Sequence, residues 1–267
     1  SKSIVLIGSN ARKVSLRYGV MVKEVAELRG LGWRGVTSFH GSELKAAIIV
    51  ATDPGSVDSN VEIYDNLIEE FSADDDRHDG WNGPYGIYVS SSNMSNREQI
   101  ARNVVRGRSW WKSDAYSKNA DQQLDAGIGV SRGTSVKHNL VTGFSRGLEV
   151  TSDVGSHGSE VDYNIFRVNL DNIYFRDGSG NDGGWSKAVI FTGNLIELGG
   201  SGITKLTEGG NYTFIENIIR DHNTHPTVGP RTNNDKMREN ANRVWPTAVH
   251  LKNGAKGGQW QRNKIYR

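Results

Sequence analysis

Cysteine is absent from the 267 residues, which removes disulfides, thiolate metal ligands and cysteine nucleophiles together. Proline is scarce, at 5 residues, and the chain has no collagen-like composition. No apolar run approaches the roughly 18 residues of a membrane-spanning helix, so no membrane partner is expected. Charge of one sign is not in excess. With 32 Lys+Arg against 30 Asp+Glu the net charge is +2, which offers no bulk attraction to nucleic acid. The sequence opens at Ser1 on no signal-peptide pattern, and the expectation is a mature form or an excised piece. A hydrophobic fraction of 36% with dispersed charge excludes a disordered chain. What is plentiful is glycine, 32 residues, above the roughly 7% of an average protein.

A short element built on asparagine recurs along the chain. It reads YDNLI at Asn66, ARNVV at Asn103, KHNLV at Asn139, DYNIF at Asn164, TGNLI at Asn194, IENII at Asn217 and QRNKI at Asn263. A second element falls once in each interval: GIYV, GIGV, GLEV, NIYF, GITK and AVHL, at 86–89, 127–130, 147–150, 172–175, 202–205 and 248–251. Stacked turns of chain would explain both. Each Asn amide bonds to the Asn above and below, at a bend that Asn or Gly enters cheaply, and the flanking Ile, Leu and Val point inward. No coil buries its apolar face alone, so stability becomes a sum over neighbours. The shortest intervals are bare coils; the longer ones carry insertions. Strand-length alternation dominates, although VMVKEVAELRG at 20–30 fits either an amphipathic helix or another strand and turn.

This pattern resembles the right-handed parallel β-helix of the pectate-lyase-like superfamily, which includes polysaccharide lyases, glycoside hydrolases, uronate epimerases and phage tailspikes. The resemblance covers roughly residues 44–267, with the first forty open as an extension of it. It implies an all-β chain, 1–267 as one parallel β-helix domain, with three strands per coil. GLEV-type segments would be the first strand, SVKH the second and LVTGF the third, with the Asn ladder at the bend between second and third. The chain stops mid-repeat on QRNKIYR with no polar cap, so a fragment or a homotrimer is expected beside a monomer.

If Ile87, Ile128, Leu148, Ile173, Ile203 and Val249 point inward, strand alternation sends Tyr88, Gly129, Glu149, Tyr174, Thr204 and His250 outward. Two residues earlier lies a column of small residues, Gly86, Gly127, Gly147, Asn172, Gly202 and Ala248, which would form a shelf beside them. Two residues later come Arg176 and Lys252. Long insertions at 72–85, 108–126 and 221–247 flank coils with almost no connection, as walls flank a cleft. Trp81, Tyr85, Trp110, Trp111 and Trp245 lie in these insertions and suit stacking on sugar rings.

Two chemistries fit. β-Elimination at a uronate needs a base and cations that neutralise the carboxylate, which Tyr174, Arg176, His250, Lys252 and Lys205 could supply. Lys205 falls at an inward position, so either the strand has ended there or a buried lysine marks a site. Hydrolysis needs two carboxylates about 5–9.5 Å apart, for which Glu149, Asp153 and Asp177 are candidates. Tyr88, Trp81, Trp110, Trp111, Asp153, His157 and Trp185 are the candidate glycan contacts. Asp221, His222 and His225 have only loose metal-like spacing, and the acidic run DDDRHD at 74–79 could take Ca²⁺; no cofactor is required by the sequence. The excess of Arg, Lys, His and Tyr favours a secreted lyase acting on an acidic polysaccharide. The alternative is a glycan-binding or glycoside-hydrolysing tailspike segment on a phage particle.

Overall fold

The computed structural model describes residues 4–7, 15–18, 20–22, 26–29, 31–37, 46–52, 61–69, 85–91, 99–107, 126–130, 134–151, 159–169, 171–176, 189–206, 212–221, 249–251 and 259–266. The chain winds as a right-handed parallel β-helix. Its described elements are all strands, gathered into two nine-stranded sheets and one eight-stranded sheet. Successive coils contribute one strand to each sheet. In the fifth coil these are β13 (Ser135–Lys137), β14 (Leu140–Thr142) and, opening the outer face of interest, β15 (Arg146–Thr151). We call the sheet of β15 the first, that of β13 the second and that of β14 the third. Every strand pairing among the described residues is parallel, and register slips only between Leu16 and Tyr18 and between Ile203 and Leu206. These are the strand roles expected for GLEV, SVKH and LVTGF.

The ladder at the second-to-third bend holds this register. Asn139 Oδ1 accepts from Asn103 Nδ2 at 3.0 Å and from the Asn103 backbone N–H at 2.9 Å. Asn139 Nδ2 donates onward to Asn164 Oδ1 at 3.0 Å and back to the Ile100 carbonyl at 2.9 Å. The same bonds recur through Asn66, Asn103, Asn164, Asn194, Asn217 and Asn263. In the second coil Leu31 takes the ladder position, and its N–H reaches Asn66 Oδ1. All of the ladder amides but Asn263 are buried, so each bond replaces water that is not there to compete.

The left-handed backbone at this bend belongs to the residue before each Asn, contrary to expectation. Asp65, Arg102, His138, Tyr163, Glu216 and Arg262 have φ between 53° and 57°, and Gly193 has 62°. The asparagine is therefore the clamp and its predecessor is the hinge. Side chains of any size occupy that hinge because they project from the ridge into solvent, as Arg102 and Tyr163 do. A second set of left-handed residues follows the third strand at Gly143, Val168, Leu198 and Asp221. Asn169 clamps there in the same way, accepting from the Phe144 N–H and donating to the Val141 carbonyl.

The core is three files of stacked apolar side chains. The second sheet contributes Ile63, Ile100, Val136, Val161, Phe191 and Phe214, each in register with the next. The file passes from aliphatic to aromatic, and Phe191, Phe214 and Trp260 stack with centroids 4.6 and 4.3 Å apart. Each fully buried side chain contributes about 1.5–3 kcal/mol. Only half of the apolar residues beside each ladder Asn take part. The second residue after Asn, such as Val105, Val141 and Phe166, is buried, whereas the first, such as Val104, Leu140 and Ile165, faces outward.

Two other expectations are settled here. Residues 20–30 hold strands at Val20–Val22 and Ala26–Arg29, with no helix among the described residues. Their partners decide this, since Val20 registers with Ile48 and Ala26 with Val61. The small-residue column of the first sheet points inward and forms no outer shelf. A Cβ on Gly86 would meet Val105 at 2.6 Å, and one on Gly127 would strike Val141. Ala47 and Ile48 both belong to the core, so the second and third residues of the strands that open at Ala46, Tyr85, Ala126 and Arg146 form an inward pair. The outward positions before and after that pair are three residues apart.

Asn164→Ala removes Oδ1 from two donors of Asn139 and strands the Val136 carbonyl, while Asn194 Oδ1 keeps only the Asn164 backbone N–H. At about 1–3 kcal/mol for a buried group left unpaired, the variant loses at least ~3 kcal/mol. Urea unfolding followed by circular dichroism measures it.

Candidate functional site

The three-residue outward step gives the first sheet an unexpected cluster. Tyr85 opens the third coil's strand (Tyr85–Ser91), Ala126 opens the fourth's and Arg146 opens the fifth's, in register with one another. Three residues on, Tyr88, Gly129, Glu149 and Tyr174 form the next outward file. The fourth coil presents only Ala126 and Gly129. Across that low row the Tyr85 ring leans from the third coil to the fifth, its hydroxyl donating to Glu149 Oε1 at 2.8 Å. A Cβ on Gly129 would lie 2.6 Å from the Tyr85 ring and 2.7 Å from Tyr88, so only glycine admits both rings. Tyr85 and Tyr88 pack with centroids 4.6 Å apart.

Arg146 is the centre of the cluster. Its Nη1 donates to Glu149 Oε2 at 2.5 Å, and its guanidinium carbon sits 3.7 Å above the Tyr174 ring centroid. Arg146 is 7% exposed, Tyr174 8% and Glu149 0%. Burial pulls the Arg146 pKa down, but the Glu149 carboxylate beside it more than compensates and the guanidinium is held charged, above its ordinary value. Tyr85 is pushed well above the ordinary tyrosine range, first by burial and then by the negative charge of Glu149. Arg146 Nε is buried and has no hydrogen-bond partner among the described residues. A buried N–H left unsatisfied costs about 1–3 kcal/mol, so this donor is available to an oxygen acceptor that enters the cluster.

The sequence-derived candidates separate against this geometry. Tyr88, Glu149 and Tyr174 come together on the outer face of the first sheet. Glu149, however, is no exposed ledge carboxylate: it is enclosed, with one oxygen on Arg146 and the other on Tyr85. Its geometry is that of an anchor for the guanidinium. Tyr85 also changes role, from a loop aromatic to a buried strand residue. For Arg176, Lys205 and His250 only the backbone lies within the described residues. Arg176 registers with Thr151. The strand holding Lys205 runs on to Leu206, so it has not ended at Lys205. The three-residue step from Ile203 to Leu206 opposes the two-residue step from Val249 to Leu251, an irregularity that interrupts alternation there. Asp177, Lys252, Trp81, Trp110, Trp111, Asp153, His157 and Trp185 lie outside the described residues, as do His222, His225, Trp245 and the acidic run at 74–79.

Sequence reasoning missed Arg146. The signal was present in the repeated spacing YGIY and RGLE, which places Tyr85 with Tyr88 and Arg146 with Glu149 three apart, but it requires the paired inward residues to be known. The third-to-first connections of the fifth, sixth and seventh coils are confined to 143–145, 168–170 and 198–200, against 70–84, 107–125 and 221–248 in the third, fourth and eighth. The cluster thus borders the coils with the tightest connections. Among the described residues no group of three or more His, Cys, Asp or Glu could hold a metal. The chain matches no protein-family model, no curated protein and no solved structure.

Two outcomes follow from the cluster. Glu149→Gln leaves the buried guanidinium without its counter-charge and lowers stability by about 3–5 kcal/mol, measured by thermal unfolding. Tyr85 stays neutral in the fold above the pH at which an unfolded tyrosine ionises. Its contribution is therefore complete below the ordinary value of 10.0 and declines as pH rises above it. In Tyr85→Phe this part of the alkaline loss of stability, measured by urea unfolding across that pH range, disappears.

Proposed function

We propose that the chain is a polysaccharide lyase that binds an acidic, uronate-containing glycan over the outer face of the first sheet. The observation that carries the reading is the buried Arg146, fixed by Glu149 and lying against the Tyr174 ring, whose Nε has no partner among the described residues. A charged guanidinium with a spare donor in a low-dielectric recess suits a carboxylate, whose negative charge must be neutralised before the neighbouring C5 proton becomes acidic. In the reaction a base removes that proton, the C4–O bond breaks with its electron pair leaving on oxygen, and the oxygen takes a proton. Tyr174 is the group proposed for proton transfer. Arg176, two positions along the same strand, is proposed as a second carboxylate partner. The likeness of the coil to pectate-lyase-like proteins adds an argument by analogy.

A binding-only reading, as in a tailspike segment, draws on the enclosure of Glu149, which removes one of the carboxylates that hydrolysis would need. The test is incubation with a panel of uronate polysaccharides, with ultraviolet absorbance and mass spectrometry of products. Unsaturated uronate ends are expected, and Tyr174→Phe should lower the rate by about a hundredfold or more, the usual scale of acid–base assistance. New reducing ends without unsaturation would point to hydrolysis; retention of polymer with no product would point to binding alone.

A further inference from the structure

The third sheet carries a feature the glycan site does not use. From the third to the eighth coil its strands are three residues long, with the middle residue in the core and the outer two facing outward. The first outward position reads Leu67, Val104, Leu140, Ile165, Leu195 and Ile218, each in register with the next. None of these is buried and Ile165 is 38% exposed. The file is bounded in register by Gly32 at one end and Lys264 at the other. A continuous aliphatic file on an outer face is uncommon unless something covers it.

The second outward position reads Glu69, Arg106, Thr142, Arg167, Glu197 and Arg220. Its arginines fall on alternate coils and are about half exposed, while both glutamates lie low beneath them. We propose that this sheet is the interface of an antiparallel two-fold dimer, its occupant a second copy of the chain. A two-fold axis running along the strands, between the fifth and sixth coils, lays each file on itself in reverse order. Leu140 then meets the partner's Ile165, Val104 the partner's Leu195 and Leu67 the partner's Ile218.

The charged file is complementary under the same operation. Arg106 falls on the row of the partner's Glu197, Arg220 on that of the partner's Glu69, and Arg167 on that of the partner's Thr142. No arginine faces an arginine. The tall rows of one copy enter the low rows of the other, so shape and charge agree. A two-fold axis along the solenoid would instead lay the aliphatic file on the charged one, which leaves guanidinium groups over apolar surface. Six rows at about 4.8 Å, each about 10 Å long, give a flat footprint of roughly 300 Å², against roughly 800 Å² per partner in a standard interface. The dimer is accordingly weak and depends on protein concentration.

Sedimentation velocity of the full chain across a concentration series tests this. The mass should rise from one chain to two. Ile165→Lys alters only an outward side chain at the axis; it should leave the thermal unfolding midpoint unchanged and weaken association by at least about tenfold, equivalent to ~1.4 kcal/mol. Thr142→Glu puts a carboxylate on the row of the partner's Arg167 and should tighten association, a gain that misfolding cannot mimic. A single-chain mass at every concentration, a trimer, or association indifferent to both substitutions would overturn the dimer. So would monomers whose arginine file binds a sulfated polymer while never pairing.

Discussion

The bond from one asparagine amide to the next is the constraint on which the rest of the molecule depends. From Asn103 to Asn217 each ladder Oδ1 accepts from both the side chain and the backbone of the preceding Asn, and each Nδ2 donates forward to the next amide and backward to a main-chain carbonyl. An amide so bonded leaves no freedom for a coil to slip by one residue, and in a sheet a one-residue slip would exchange the core face for the solvent face. The interval between rungs varies from 23 to 46 residues, and the ladder does not register the difference. Lengthening a connection costs only slowly growing closure entropy, so insertions accumulate between strands while the clamps stay in one file.

Much of this was legible because the clamp needs one particular side chain at one particular place. The recurrence of Asn66 through Asn263 fixed the coil, and the alternation around GLEV and SVKH assigned the strands to their sheets. The hinge was not legible, since left-handed backbone at Arg102 or Tyr163 leaves no compositional mark when the side chain projects into solvent. Residues 20–30 were ambiguous for a related reason: apolar spacing there suits two structures, and the choice is made by Ile48 and Val61, far away in sequence. For the site, parity placed Tyr88, Glu149 and Tyr174 on the outer face correctly. It could not show that Ala126 and Gly129 leave a depression into which Tyr85 leans, nor that Arg146 would close over Glu149.

The ion pairs on the two faces do different work. On the third sheet, Glu197 is approached by exposed Arg167 and Arg220 at 3.6 and 2.7 Å, and such pairs at the water boundary contribute little to stability. Arg146 and Glu149 are withdrawn from water, where desolvation offsets most of their attraction. Their value is positional. The carboxylate and the Tyr174 ring hold the guanidinium in one place, with its Nε left without a hydrogen-bond partner among the described residues.

The ladder also has a direction. Along the ladder each amide carbonyl points toward lower coil numbers and one N–H points toward higher ones, while the second N–H turns back to a main-chain carbonyl, so the forward bonds share one sense and each polarises the next. The two extremities are therefore chemically unlike. At the low-numbered one Asn66 offers an oxygen, which the Leu31 N–H satisfies; at the high-numbered one Asn263 Nδ2 spends one N–H on the Phe214 carbonyl and holds the other in the forward position of the file. A further turn of backbone would meet that forward N–H with an acceptor, as each rung meets the one before it, which makes elongation of this stack a polar process, like adding to one end of a filament.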